Sequence, residues 1–167
     1  VCALVNGERK CWNNRPLQTQ LCYSNSYVQD TMVNAVVEYA KAKGIKICIE
    51  NMPSEREAPD NHLYGSCALN ISALAEKLGA GICWDVGHAN ISGYKQSEQM
   101  EILKGKLDVL HIHDNDGAVD LHLAPYTGTV DWQNFYICVL RKNCFGVFQT
   151  QNIIGGRNQT LIEITAH

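Results

Sequence analysis

No apolar run in these 167 residues approaches the ~20 residues of a membrane span, so no helical membrane protein is expected. No secretory leader is read either: Val1 to Leu4 is apolar, but Asn6, Glu8, Arg9 and Lys10 end the run at once. An initiator Met is also missing, and Val1 is not expected to be the natural start. Basic residues are not in excess. Lys and Arg number 14 against 17 Asp and Glu, a net charge of −3, which speaks against a broad nucleic-acid surface. No CxxC pair occurs among the eight cysteines, and Cys48 and Cys83 sit inside apolar runs. Reduced, buried thiols in a cytoplasmic protein are the expectation, and the sequons at Asn70, Asn90 and Asn158 are expected to stay unmodified. Finally, no Gly-rich phosphate loop follows any strand-like run, which argues against a doubly wound dinucleotide fold.

What is present is a rhythm. Residues 1–30 are irregular, with a short strand expected over Val1 to Val5. Thr31 to Lys43 carries an apolar stripe of Val33, Val36, Val37 and Ala40, with Gly44 placed to stop a helix. Ile45 to Ile49 then reads as a β-branched strand ending on Glu50. The pattern repeats: a helix over Asn70 to Leu78 stopped by Gly79, and a strand over Gly81 to Trp84 ending on Asp85. It repeats again with a helix over Gln96 to Lys104 and a strand over Leu107 to Ile112 ending on His113. Asp131 is placed to cap a helix running to Val139, and Thr160 to Ile164 reads as a last strand containing Glu163. Phe145 to Gln151 reads as an additional strand, in a stretch (144–159) that breaks the rhythm like an insertion.

Helices alternating with nearly continuous apolar strands imply βαβ units and a parallel sheet covered on both faces. A polar, metal-competent residue stands at the C-terminal end of strand after strand. In (β/α) barrels that end carries the active site. The fold class expected is therefore α/β, one domain over 1–167.

The chemistry gathers at those strand ends. Glu50 terminates an apolar strand, where a carboxylate is costly to desolvate unless a cation or hydrogen bonds hold it; the alternative is a capped or salt-bridged Glu. Asp85 and His88, three apart with Gly87 between, can converge on one small volume, and carboxylate with imidazole suits zinc, manganese or iron. The alternative there is an Asp that caps the next helix beside an exposed His. His111-Ile112-His113-Asp114-Asn115-Asp116 followed by Asp120-Leu121-His122 is the densest element. His111 and His113 share one strand face; His113 is expected at the rim as a ligand and His111 one layer deeper. A polar turn alone does not explain three histidines within twelve residues of a chain that has six. Glu163 repeats the Glu50 pattern, with an inward Glu paired to Arg157 or Lys142 as its plainer reading.

Ile49-Glu50-Asn51, Trp84-Asp85-x-Gly87-His88, and His111-x-His113-Asp-Asn-Asp116-Gly with Asp120-x-His122, Pro125, Gly128 and Val130-Asp131-Trp132 together resemble the xylose-isomerase-like TIM barrels. That superfamily contains sugar phosphate isomerases and epimerases together with endonuclease IV. The similarity runs from about Val33 to Trp132 and resumes at Thr160 to Ala166. It implies a divalent metal (Mn, Zn, Mg or Co) held by Glu50, Asp85, His113 and Glu163, with Glu50 and Glu163 as acid/base groups flanking the substrate. It further implies His88, Asn51 and Asp116 as substrate contacts, a carboxylate near Glu55 or Glu57, and a second metal on His88, Asp120 and His122. The family barrel has eight strands, whereas roughly five are legible here. The chain thus reads as the C-terminal part of such a barrel, its first strands missing, with exposed sheet edges that call for a longer protein or a homo-oligomer.

The expected function is metal-dependent isomerisation or epimerisation of a small sugar or sugar phosphate, by proton transfer next to a carbonyl through an enediolate. The alternatives are a zinc phosphodiesterase acting on abasic DNA, as in endonuclease IV, and a truncated barrel without turnover.

Overall fold

The structure is a computed structural model that describes residues 4–5, 8–9, 11–12, 15–19, 25–54, 65–139, 144–150 and 158–164, with side chains over 25–54 and 65–135. The chain divides into two compact units, Val1–Ile47 and Cys48–His167.

In the first unit, β1 (Leu4–Val5) pairs antiparallel with β2 (Glu8–Arg9), and β3 (Cys11–Trp12) with β4 (Arg15–Thr19). A π-helical segment over Val28–Val33 runs into α1, Asn34–Ala42. The amphipathic stripe predicts which face is buried only in part: Val37 and Ala40 are buried, whereas Val36 is exposed. Gly44 ends the helix as expected. It adopts φ +69°, and the Ile45 amide reaches back to the Ala40 carbonyl at 2.9 Å.

The second unit is a five-stranded sheet in the order β5-β6-β7-β8-β9. Its strands are β5 (Cys48–Glu50), β6 (Gly81–Asp85), β7 (Leu107–Ile112), β8 (Cys144–Thr150) and β9 (Asn158–Ile164). The helices are α2 (Ala68–Leu78), α3 (Val86–Ile91), α4 (Gln96–Ile102) and α5 (Trp132–Val139). Strands β5 to β8 are parallel, each neighbour reached through helical crossovers. Every residue of β6 is buried, as a central strand covered on both faces requires. Trp84, Val86, Met100, Leu110, Trp132 and Phe135 belong to one apolar cluster that joins strands to helices.

Two expectations change here. Strand β9 runs antiparallel to β8, not parallel to the rest, with Glu163 opposite Phe145 and Thr160 opposite Phe148. A returning strand carries its C-terminal end, and Glu163 with it, toward the N-terminal end of β8. Asp85 does cap the next helix, α3, its Oδ1 accepting from the His88 amide at 2.8 Å, but the His88 beside it is buried and not exposed as that reading had it. Among the described residues no helix is long and apolar enough to cross a membrane. Cys67 and Cys83 are free thiols.

Candidate metal centre

The parallel register decides which strand ends meet. Glu50 is the partner of Cys83, and Asp85 is the partner of His111. Three adjacent strands therefore deliver Glu50, Asp85 and His111 to one place. His111 Nδ1 lies 2.9 Å from Glu50 Oε1 and 3.6 Å from Asp85 Oδ2.

The two histidines at the end of β7 differ in exposure. His113 is fully buried, while the His111 side chain keeps 20% of its surface. The reason is the loop that follows β7. Asp114 and Leu123 form an antiparallel bridge, two 2.8 Å backbone bonds that fold residues 115–122 back over the strand end. His122 then stacks on His113, ring centroids 4.2 Å apart. From the other side the His113 ring rests on Gly87, where any Cβ would run into it. The Nε2 of His113 contacts both Asp85 oxygens, at 2.9 and 3.0 Å, and its buried Nδ1 has no hydrogen-bond partner among the described residues. In this position His113 orients Asp85.

Asn51 and Asp116, expected at a substrate, are otherwise engaged. Asn51 is fully buried. Its Nδ2 donates to the Asp85 carbonyl at 3.0 Å and its Oδ1 accepts from the Asp85 amide at 2.6 Å. The side chain thus splices the end of β5 to the end of β6, and its carbonyl faces His88 Nδ1 at 2.8 Å. Asp116 is exposed and caps its own turn, accepting from the Ala118 and Val119 amides at 2.9 Å each.

His88, Asp120 and His122 do converge. His88 Nε2 is 3.4 Å and His122 Nε2 3.0 Å from the same atom, Asp120 Oδ2. His122 adopts φ +50°, an uncommon conformation for a residue with a side chain, imposed by the bridge next to it. His88 also links the two groups, its Nδ1 lying 3.6 Å from Glu50 Oε1. Glu163 is placed by backbone register alone, while Glu55 and Glu57 lie outside the described residues.

Sequence reasoning passed over Asp114. Its Oδ1 accepts from the Asn115 and Val130 amides at 2.8 and 3.1 Å, and its Oδ2 from Trp132 Nε1 at 2.7 Å. It ties the loop to α5. Gly128 passes so close that a Cβ there would strike Asn115 O and Asp114 Oδ1. The signal was the spacing of Asp114, Gly128 and Trp132.

Electrostatics follow the geometry. Burial alone would raise the Asp85 carboxyl, but hydrogen bonds from His111 and His113 and the nearby charge of His88 outweigh it and hold the group below the usual carboxylate range. Burial opposes charge on His88, yet Asp120, Asp85 and the Asn51 carbonyl push it up to about 9. Burial likewise opposes charge on His111, and Asp85, Cys83 and Glu50 together push it up to about 12. Burial raises Asp120 as well, and His88 and His122 more than reverse it.

The described ion pairs of Glu50, Asp85 and Asp120 all go to histidines. Of these, His88 and His111 are the ones held toward their charged form by the carboxylates around them. Carboxylate and imidazole atoms within 4.8 Å of one another form overlapping groups, Asp85-His88-His113 and His113-Asp120-His122 among them. The donor set fits a divalent metal of the zinc or manganese kind.

Residues 30–144 match the family described as Xylose isomerase-like TIM barrel. Two uncharacterized proteins of Methanocaldococcus jannaschii are each 32% identical to this chain, over 127 and 110 residues. Those matches cover 71% and 65% of the chain, and the chain spans only 41% and 40% of the two relatives' lengths. Among solved structures, a D-tagatose 3-epimerase-like protein superposes with a TM-score of 0.62 at 25% identity, over 78% of this chain and 51% of its own. A Thermus thermophilus protein, from a soak with ZnCl2, superposes at TM-score 0.52 and 19% identity, over 71% of this chain and 43% of its own.

Proposed function

Because this chain belongs to the xylose isomerase-like TIM barrel family, we propose that it carries the metal-binding half of a sugar isomerase or epimerase that moves a proton next to a carbonyl. The observation that carries this reading is the meeting of Glu50, Asp85 and His111 from three successive parallel strands. The likeness to a D-tagatose 3-epimerase-like structure supports the substrate class, a small ketose or its phosphate.

Glu50, Asp85 and His111 would hold the metal; Glu163, carried toward the N-terminal end of β8, is not placed to join them. When bound, the metal supplies Lewis acidity that weakens the C–H bond beside the substrate carbonyl. Glu50, the more exposed of the two carboxylates at 32% against 1% for Asp85, is placed to take that proton. His111, 2.9 Å away, holds the Glu50 oxygen in position. Asp85 cannot serve as the base, since His113 and the α3 cap occupy its oxygens. His88, held cationic by Asp120, faces the same space and is suited to steady a substrate oxygen that gains negative charge. Return of the proton falls to His88.

The test is metal-dependent exchange of a sugar C–H proton with deuterated solvent, followed by NMR over a panel of ketoses and their phosphates. Exchange is expected in the full-length, metal-loaded protein and is expected to vanish in Glu50→Gln. A metal-loaded protein that exchanges nothing across the panel sinks the reading. His88→Gln in the same assay tests proton return, and Glu163→Gln is expected to leave exchange in place.

A second reading rests on His88, Asp120 and His122 meeting at one oxygen. Such a cluster would suit a second zinc and a phosphodiesterase acting on abasic DNA. Cleavage of an abasic duplex, lost in Asp120→Asn, would favour it.

A further inference from the structure

Tyr126 has no part in the roles above. It stands in the turn Ala124-Pro125-Tyr126-Thr127. There the Thr127 amide reaches the Ala124 carbonyl at 3.2 Å, and the Thr127 hydroxyl donates to the same oxygen at 2.6 Å. Proline in second place and a positive φ in third, +70° at Tyr126, are the marks of a type II turn. Glycine or asparagine is what that third place favours. Among the described non-glycine residues only His122 shares a positive φ. The ring does not fill the core, since Tyr126 is 69% exposed. It leans on Trp132, ring centroids 5.8 Å apart, and Trp132 is buried and fixed by its 2.7 Å bond to Asp114. Trp132 is the first residue of α5, and Asp114 bridges to Leu123 just beyond β7. The exposed ring is thus held at the end of the sheet that carries Glu50, Asp85 and His111.

A surface turn with no further task would be relaxed by glycine, which adopts this φ without steric cost. The tilted contact with Trp132 leaves most of Tyr126 bare, so packing alone does not account for a large aromatic in a strained place. We propose that Tyr126 is a substrate-binding residue whose ring is a platform for the C–H face of a sugar. This rests on the sugar reading given above, and no metal contact enters it. A sugar presents hydroxyls at its edge and C–H groups on its faces. A flat aromatic ring complements the face, while charged groups take the edge. The tight turn and the Trp132 support hold the platform in advance, which lowers the ordering cost when the sugar arrives.

Calorimetric titration of the full-length, metal-loaded protein with the panel of ketoses and their phosphates tests the platform apart from turnover. The wild type is expected to bind at least one sugar. Tyr126→Phe, which keeps the ring, is expected to bind that sugar as well as the wild type does. Tyr126→Gly is expected to bind it about tenfold more weakly, with no fall in melting temperature because the turn is relaxed. A glycine variant that binds as tightly as the wild type, or a phenylalanine variant that binds as weakly as the glycine one, overturns the role of Tyr126 and leaves the isomerase reading standing. A glycine variant that loses binding only together with its melting temperature marks a packing role and overturns it too. A wild type that binds no sugar of the panel overturns both readings. Should Tyr126→Gly not fold, NMR on the unaltered protein decides. Nuclear Overhauser contacts between sugar C–H protons and the Tyr126 ring are expected, and their absence at saturating sugar refutes the proposal.

Discussion

His111 Nδ1 sits 2.9 Å from Glu50 Oε1, two side chains separated by 61 positions in sequence and by one strand in the sheet. Strand β6 lies between them and adds Asp85 to the same group. Which of His111, in β7, and His113, just beyond it, belongs to the metal thus becomes a measurable question.

His111→Ala and His113→Ala are expected to fail differently. Loss of His113 removes the group that orients Asp85 and costs about 10–100-fold in metal affinity, together with stability, because the residue is fully buried. Loss of His111 is expected to cost more affinity and less stability. Calorimetric zinc titration beside urea denaturation checks both, and the opposite ranking would restore His113 as the ligand.

Gly87→Ala places a methyl group where the His113 ring lies. Overpacking of this kind costs about 1–3 kcal/mol, so the urea midpoint should fall. An unchanged midpoint would mean that the ring is free to move aside.

Asn51→Ala distinguishes splice from substrate contact. The substitution leaves the Asp85 amide and carbonyl without their present partners, at about 1–3 kcal/mol for each buried group. A drop in melting temperature without substrate is expected. A variant that melts normally and loses only substrate affinity would return Asn51 to the substrate.

The metal-free protein should be most stable in mild acid. His88 is raised from 6.5 to about 9 on folding, so its contribution is complete below pH 6.5 and is lost as pH climbs through about 9. Asp85 is lowered from 3.8, so its contribution is present above that value and is lost as pH falls further. Metal has the opposite preference, because it must displace protons from the imidazoles. Thermal melts across pH with a chelator, and again with zinc, should show the optimum moving upward when metal is present. Coincident profiles would argue against any exchange of metal for protons.

The βαβ rhythm was legible because apolar runs and Gly stops are local signals: β7 falls where it is expected, and α2, stopped by Gly79, begins at Ala68 rather than Asn70. The direction of β9 was not legible, since hydrophobic patterning says nothing about which way a strand runs beside its neighbour. At the site, Glu50 and Asp85 could be found from strand-end position alone. The ranking of His111 and His113 could not, because alternation gives them the same face and only a long-range bridge, Asp114 to Leu123, decides which one is covered. The hydrogen bonds of Asn51 and Asp116 were not legible for a related reason. Both are polar residues beside the site whose hydrogen bonds are with backbone, Asn51's with Asp85 and Asp116's within its own turn.

Asp85 begins α3 with the same carboxylate that faces the metal site. Asn caps a helix about as well as Asp, yet it carries no charge. A single Asp85→Asn exchange would therefore keep the start of α3 while removing the negative charge that His88, His111 and His113 surround. Fold and chemistry are joined at this one carboxylate, so the loss of the second would be felt in the stability of the first.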